Sequence, residues 1–408
     1  MKEKLEKIYS ALFAVFCFTI PFSQFGEAIP NIAMIPLIGL FPFLISKKEW
    51  RNFIGNPFYI FAALVLLIFI ETLIFMRWDD MKFFTKILII PIIFFLAIPE
   101  KNKQISLLGF LSGAFILMIS TYARIIGYTF NNKEFDFSVG KFINDILMGD
   151  RPYVGFVYVL SILFCAYFFL QTKKIIYKIF LALSASLFFL LIFIISARLS
   201  LLSLICVAFL SFFYIKNWKI PVILVTGAIV SVFLLIKFNP NFIDRFYSGF
   251  KQENYTLKKA IIMEPRYHIW DCATGIIMEE NAFLKGVGFK KTTELLTNCF
   301  KSHDNFLSNE HRQYFIESNF NTHNQFLGIY LSSGIFALLL LLYFFITSFF
   351  QTRKNYFAFA SIFALFLFCL VENVLSRQMG CLLFGFIWVF VYSSIQKSKT
   401  DSTVKKSN

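Results

Sequence analysis

Long apolar runs, separated by short hydrophilic breaks, dominate this sequence of 408 residues. A helix needs about 20 mostly apolar residues to cross the hydrocarbon core of a bilayer. About twelve runs meet that requirement, near residues 8–25, 29–46, 57–76, 83–99, 105–129, 153–171, 175–195, 199–216, 219–237, 324–350, 355–375 and 380–396. Hydrophobic residues make up 58% of the chain and charged residues 15%, which excludes a water-soluble globular enzyme. We predict an all-α polytopic membrane protein with about 12 transmembrane helices.

Lys and Arg residues are distributed unequally between the alternate breaks. One side carries basic clusters before the first run, after the second, fourth, sixth, eighth and tenth runs, and in the tail at 397–408, whereas the short breaks on the other side carry far fewer. These clusters account for the net charge of +15 without nucleic acid as a partner. The positive-inside rule therefore predicts cytoplasmic termini. It places residues 238–323, between the first group of spans (1–237) and the last (324–396), outside the cytoplasm.

Charged residues interrupt several apolar runs, where each costs about 2.5–3.5 kcal/mol on insertion scales and usually serves function. They are Glu71, Lys86, Arg124, Arg198 and Glu372. In the predicted orientation all of them lie toward the outer ends of their spans. For any one residue, snorkelling to nearby headgroups explains the position equally well, but snorkelling alone does not favour one leaflet. We expect a polar chamber that opens outward, in which arginine binds phosphate.

Residues 238–323 form a segment too long to be a simple connector. Within it, Pro265–Glu280 is a predicted helix with proline at its first position, and Arg266 and Trp270 share one face because they are spaced i, i+4. Cys272 and Cys299 are the only cysteines of this segment. They form a disulfide or remain two thiols, because sequence alone does not fix pairing.

His323 lies where this segment re-enters the membrane, and it is followed by Asn324 and then by an apolar run. An imidazole is the side chain best suited to accept a proton near neutral pH. A structural hydrogen-bonding role is the alternative for a histidine at such an interface.

Three short motifs lie before, within and at the end of the large segment. They are Arg198-Leu199-Ser200-Leu201-Leu202, then Arg266 to Trp270 followed by Gly286-Val287-Gly288, and then His323-Asn324-Gln325-Phe326-Leu327. Together with the layout of spans, they resemble the superfamily of O-antigen ligases and O-antigen polymerases. The resemblance implies a metal-independent glycosyltransferase without cofactors, whose donor is a polyprenyl-diphosphate-linked glycan. It implies that Arg198 and Arg266 bind the diphosphate and that His323 is the general base.

Further polar residues at the outer ends of spans, in the loop helix and beside His323 are candidate substrate-binding residues. They are Arg124, Arg151, Tyr153, Trp270, Asn324, Glu372 and Arg377. The resemblance places them around the same outward-facing site of a bacterial inner-membrane protein.

The shared donor chemistry does not separate the members of the superfamily. The single large segment late in the chain favours a ligase, with lipid A-core as the acceptor, over a polymerase that extends repeat units. A secondary transporter is the alternative from a different class. Such transporters have internally repeated halves and sites near the midplane, whereas this chain shows no evident repeat and its intramembrane charges avoid the midplane.

Overall fold

The computed structural model describes residues 2–45, 57–100, 102–132, 146–238, 264–280, 282–302, 306 and 308–390, and all regular secondary structure within them is helical. The helices before the large segment are α1 (Lys2–Thr19), α2 (Ala28–Leu44), α3 (Phe58–Ile74), α4 (Met81–Ile87), α5 (Ile89–Leu96), α6 (Lys103–Asn132), α7 (Arg151–Gln171), α8 (Ile175–Ile194), α9 (Arg198–Leu210) and α10 (Lys219–Phe238). Those that follow are α11 (Pro265–Glu279), α12 (Phe289–Ser302), α13 (Asn309–Ser318), α14 (Gln325–Thr352), α15 (Tyr356–Val371) and α16 (Gln378–Phe390). The all-α prediction is confirmed.

Five helical stretches within the described residues are long and apolar enough to cross a membrane. They are Lys2–Phe22, Gln104–Asn131, Arg151–Gln171, Ile175–Ile194 and Gln325–Thr352. Six shorter apolar helices accompany them, among them α2, α3, α15 and α16. The helices therefore follow the predicted runs closely, while the number of membrane crossings stays a prediction. The end of the last run and the tail at 391–408 lie outside the described residues.

The run at 83–99 forms two short helices rather than the one continuous helix that the sequence predicts. Helix α4 ends at Ile87 and α5 begins at Ile89. Pro91 lies four residues after Ile87, and a proline ring both lacks a backbone N–H and clashes with the carbonyl of residue i−4. The helix therefore breaks in the turn that precedes Pro91.

Residues 264–280, 282–302, 306 and 308–323 form a small helical unit, here called the loop module. Its core is formed by Ile269, Ile276, Leu296, Phe300 and Phe315, all buried. A disulfide joins Cys272 of α11 to Cys299 of α12. The module thus has its own apolar core and its own covalent link, separate from the large core of the membrane helices.

The loop module is fixed to α14 at a kink. Gly334 has φ +74° inside this helix, so the helical hydrogen bonding is interrupted there. The N–H groups of Val287 and Gly288 donate to the carbonyl oxygens of Leu331 and Ser332, both at 2.9 Å. Carbonyls exposed by the kink are thereby paired, as buried backbone groups require.

The turn at residues 286–288 approaches α14 so closely that only glycine fits. Gly286 has φ +58°, and a Cβ built there would overlap the backbone of Ser332 and Ser333. The glycine turn that the sequence resemblance emphasised is therefore the contact between the loop module and the membrane helices.

Candidate functional site

Glu372 lies between His323 and Arg266. Its Oε2 is 3.5 Å from Nδ1 of His323, and its Oε1 is 4.0 Å from Nη2 of Arg266. The carboxylate is buried, whereas the side chains of His323 and Arg266 are 25% and 35% exposed to solvent. A buried acid that touches two more accessible basic groups orients them toward whatever enters from solvent. These three residues are here called the His323 cluster.

The distance between His323 and Glu372 exceeds that of a closed N–H···O hydrogen bond, which is about 2.7–3.2 Å. Hydrogen bonds in catalytic sites are often long without substrate and tighten when it binds. An imidazole oriented by a carboxylate would have this geometry before the hydrogen bond between them closes.

Hydrogen bonds fix the positions of Glu372 and Arg266. Glu372 ends α15, and its N–H donates to the carbonyl oxygen of Phe368 at 2.9 Å. Arg266 starts α11, donating from Nη1 to Glu264 at 2.7 Å and from Nη2 to the carbonyl oxygen of Val371 at 3.4 Å.

The backbone of His323 is left-handed, with φ +42°. This conformation is uncommon for a residue other than glycine and tends to persist where the surroundings enforce it. The His323 N–H donates to Oδ1 of Asn321 at 2.9 Å, which closes the turn and helps to aim the imidazole.

Asn373, which the sequence did not identify as a site residue, fixes the turn that carries His323. Its Oδ1 accepts from the Asn324 N–H at 2.8 Å and from the Thr322 hydroxyl at 3.1 Å. Asn373, which directly follows Glu372, thereby holds Thr322 and Asn324, the two neighbours of His323. The sequence did contain one signal for Asn373: its amide directly follows Glu372, a carboxylate in an apolar run that needs no amide.

Asn324, a predicted substrate-binding residue, is the N-cap of α14. Its Oδ1 accepts hydrogen bonds from the N–H groups of Phe326 and Leu327, both at 3.0 Å. The neighbouring Gln325 accepts from the Leu375 N–H at 2.7 Å. The motif after His323 therefore starts a helix and anchors it to the turn beyond α15.

Trp270 connects α11 to the same turn, because its indole N–H donates to the carbonyl oxygen of Thr322 at 3.0 Å. Trp270 thus contacts the turn that carries His323, while Arg266, one turn earlier on the same face of α11, contacts the end of α15. His268 faces the opposite way and is fully buried, with its ring against Phe306 and Phe315.

Arg198, Arg151 and Tyr153 lie at the same end of the helical bundle as the His323 cluster. Arg198 begins α9 directly after Ala197, whose Cβ packs against Gly155 of α7. Two residues before Gly155 in α7, the Tyr153 hydroxyl donates to the Asn373 carbonyl oxygen at 3.4 Å.

The guanidinium of Arg377 pairs with the carboxylate of Asp150 and lies over the Tyr153 ring, 5.7 Å from its centroid. Asp150 also accepts from Gln24. Arg124 is exposed and donates to the carbonyl oxygen of Ile146 at 3.5 Å. Arg377 therefore borders the site through Tyr153, and a part for Arg377 or Arg124 in binding substrate stays a prediction.

Within the described ranges, no three His, Cys, Asp or Glu side chains come together as metal ligands. Within the His323 cluster itself, Arg266 supplies a permanent positive charge.

Part of the chain is similar to a known protein family. Residues 182–342 match the family model described as O-Antigen ligase, and no curated protein matches the chain in sequence. Arg198, Arg266 and His323 all fall inside the matched region, whereas Glu372 and Asn373 lie beyond it. Over residues 182–342 the chain is therefore similar to the O-antigen ligase family, which supports the resemblance that its three motifs indicated.

Proposed function

We propose that this protein is a ligase-type glycosyltransferase that moves a glycan from a polyprenyl-diphosphate donor to a hydroxyl group of lipid A-core. The contact of His323 with Glu372, within 4.0 Å of Arg266, is the observation that carries the proposal. This contact brings a base, its orienting acid and an anion-binding group together in a chain that is similar to the O-antigen ligase family.

The pairing of Nδ1 with Glu372 determines which nitrogen of His323 acts. When Nδ1 carries the proton and donates it to the carboxylate, Nε2 keeps its lone pair for the acceptor hydroxyl. Glu372 also stabilises the imidazolium that forms after proton transfer. His323 is the general base in this scheme, and Glu372 is its positioning residue.

The acceptor oxygen, as it loses its proton to His323, attacks the anomeric carbon of the donor glycan. The bond from that carbon to the diphosphate oxygen breaks, and the diphosphate leaves with the electron pair. Arg266 and Arg198 stabilise the charge that develops on the leaving group, since a guanidinium offers paired donors to phosphate oxygens. The positive charge required at the leaving group then comes from the protein itself.

The disulfide of the loop module supports a site on the outer face of the inner membrane. Disulfides persist in oxidising compartments such as the bacterial periplasm and are rare in the cytosol. Cys272 and Cys299 lie on α11 and α12, and α11 also carries Arg266. The module and the active site are therefore proposed to face the periplasm, with both chain termini in the cytoplasm.

Glycan analysis of a deletion strain, complemented with variants, tests the proposal. For a ligase, loss of the protein leaves mature lipopolysaccharide without polymer, while lipid-linked polymer accumulates. Single-repeat glycans would indicate the polymerase reaction instead. Restoration of polymer by His323→Ala at normal protein levels would contradict the proposal, and solute uptake by reconstituted vesicles without glycan transfer would favour a transporter.

A further inference from the structure

A cavity with many polar side chains adjoins the His323 cluster. Thr322 and Asn373, which hold the His323 turn, also line a cavity of about 520 Å³ between α4, the start of α12 and the start of α14. Small-molecule sites in proteins have volumes of about 300–1,000 Å³. The cavity is therefore large enough for a ligand of its own and lies beside the proposed base.

The carboxylates that line this cavity are already engaged by the loop module. Asp79 accepts from Nζ of Lys290 at 2.6 Å. The two oxygens of Asp80 accept from the N–H groups of Phe289 and Lys290 at 3.0 and 2.8 Å. Their negative charge therefore stabilises α12 and its lysine instead of facing a ligand.

Two lysines of α4 give the cavity its positive charge. Lys82 and Lys86 are spaced i, i+4 and both line it. Lys86 donates from Nζ to the carbonyl oxygen of Ser376 at 3.2 Å, and a neutral carbonyl does not cancel the ammonium charge. Lys82 is exposed at the opening. Two ammonium groups one helical turn apart favour an anionic ligand.

The remaining lining indicates a saccharide. Amide and hydroxyl side chains from Asn319, Asn321, Thr293 and Ser376 surround the cavity, and a stacked pair of rings, Phe83 and Phe289, lies at its wall. Amides and hydroxyls both donate and accept hydrogen bonds, as sugar hydroxyl groups do.

We propose that this cavity is the acceptor subsite and that it binds an anionic saccharide, with a phosphate or carboxylate group at Lys82 and Lys86. The proposal rests on the transferase function above and adds the chemical class of the acceptor. The wall formed by Thr322 and Asn373 places the acceptor sugar next to His323, while the donor diphosphate occupies the arginine side.

Binding of soluble trisaccharides to the full-length protein in nanodiscs of uncharged lipid tests this directly. The probes are maltotriose, maltotriose carrying a phosphate monoester, and trigalacturonate, followed by ligand-observed NMR. We expect at least one anionic probe to bind about tenfold or more tightly than maltotriose, and the preference to shrink as salt is added. The tighter of the two anionic probes identifies phosphate or carboxylate as the recognised group. Equal affinity for all three probes would overturn the proposal.

Variants separate this subsite from the catalytic proposal. K82Q/K86Q is expected to reduce the anionic probes to the affinity of maltotriose. K301Q, which removes an exposed lysine elsewhere on α12, keeps the preference. His323→Ala is expected to lose glycan transfer but to bind the probes as the wild type does. An unchanged preference in K82Q/K86Q would overturn the subsite, whereas transfer by His323→Ala would instead overturn the proposed function.

Discussion

Nδ1 of His323 lies 3.5 Å from Oε2 of Glu372, although His323 precedes the start of α14 and Glu372 follows the end of α15. The contact brings together a residue inside the matched O-antigen ligase region and one beyond it. The proposed active site therefore needs α15 as well as the loop module.

Glu372→Gln tests the positioning role of the carboxylate. We expect kcat for glycan transfer to fall about ten- to a hundredfold, because the amide neither fixes the imidazole tautomer nor stabilises its charged form. KM for the acceptor should change little, since Glu372 faces His323 and not the acceptor cavity. Glu372→Asp should recover part of the rate. Glu279→Gln, an exposed carboxylate at the end of α11, is the matched control, and equal losses in both variants would argue against a specific role.

Removal of the disulfide tests the independence of the loop module. Cys272 and Cys299 are separated by 27 positions, so the link removes about 3–4 kcal/mol of chain entropy from the unfolded module. The double serine variant should show faster hydrogen exchange in α11 and α12, with the membrane helices unchanged. Cys206→Ser, at a cysteine of α9 outside the module, serves as the control. Unchanged exchange in α11 would mean that the apolar core alone holds the module.

Asp80→Ala tests the attachment of α12 to the membrane helices. Asp80 is buried and accepts two backbone N–H groups at the start of α12, as an N-terminal cap does. We expect the amides of Phe289 and Lys290 to lose about 1–2 kcal/mol of protection in hydrogen exchange. The neighbouring Asp79 is exposed and bonds only to the side chain of Lys290 among the described contacts, so Asp79→Ala should change these amides little. A larger loss of protection in Asp79→Ala than in Asp80→Ala would contradict the role of Asp80 as the cap of α12.

Acid should destabilise the loop module through His311. Burial among aromatic rings lowers the pKa of His311 below its ordinary value of 6.5. The folded module therefore binds a proton less readily than the unfolded chain. This stability is fully present above pH 6.5 and is lost as the pH falls from there toward the folded pKa. Unfolding of α13, followed from about pH 8 to about pH 5, should show this loss, and His311→Phe should reduce it; a variant with the wild-type slope would exclude His311 as the cause.

The positions of the helices could be predicted because hydrophobic length alone determines them. The apolar runs, the helix at Pro265 and the shared face of Arg266 and Trp270 depend on local spacing, and the structure follows all of them closely. The interruption at Pro91 was also present in the sequence, but an apolar run with an internal proline does not by itself show whether the helix kinks or breaks.

The partners of the site residues could not be predicted, because they are distant in sequence. Nothing near Asn373 indicates that its amide holds Thr322 and Asn324, and nothing near Asp80 indicates that it caps α12. Asn324 illustrates the same limit. An asparagine beside a candidate base indicates substrate binding, yet its side-chain oxygen serves the start of α14.

The rate of glycan transfer by the purified full-length protein, from a polyprenyl-diphosphate donor to an acceptor, tests the central claim most directly. We predict that His323→Ala lowers this rate about 10²–10⁴-fold and that Arg266→Ala also lowers it severely. Arg353→Ala, at an exposed arginine after α14, should keep it, with equal thermal stability in all variants. Transfer at the wild-type rate by His323→Ala would contradict the account.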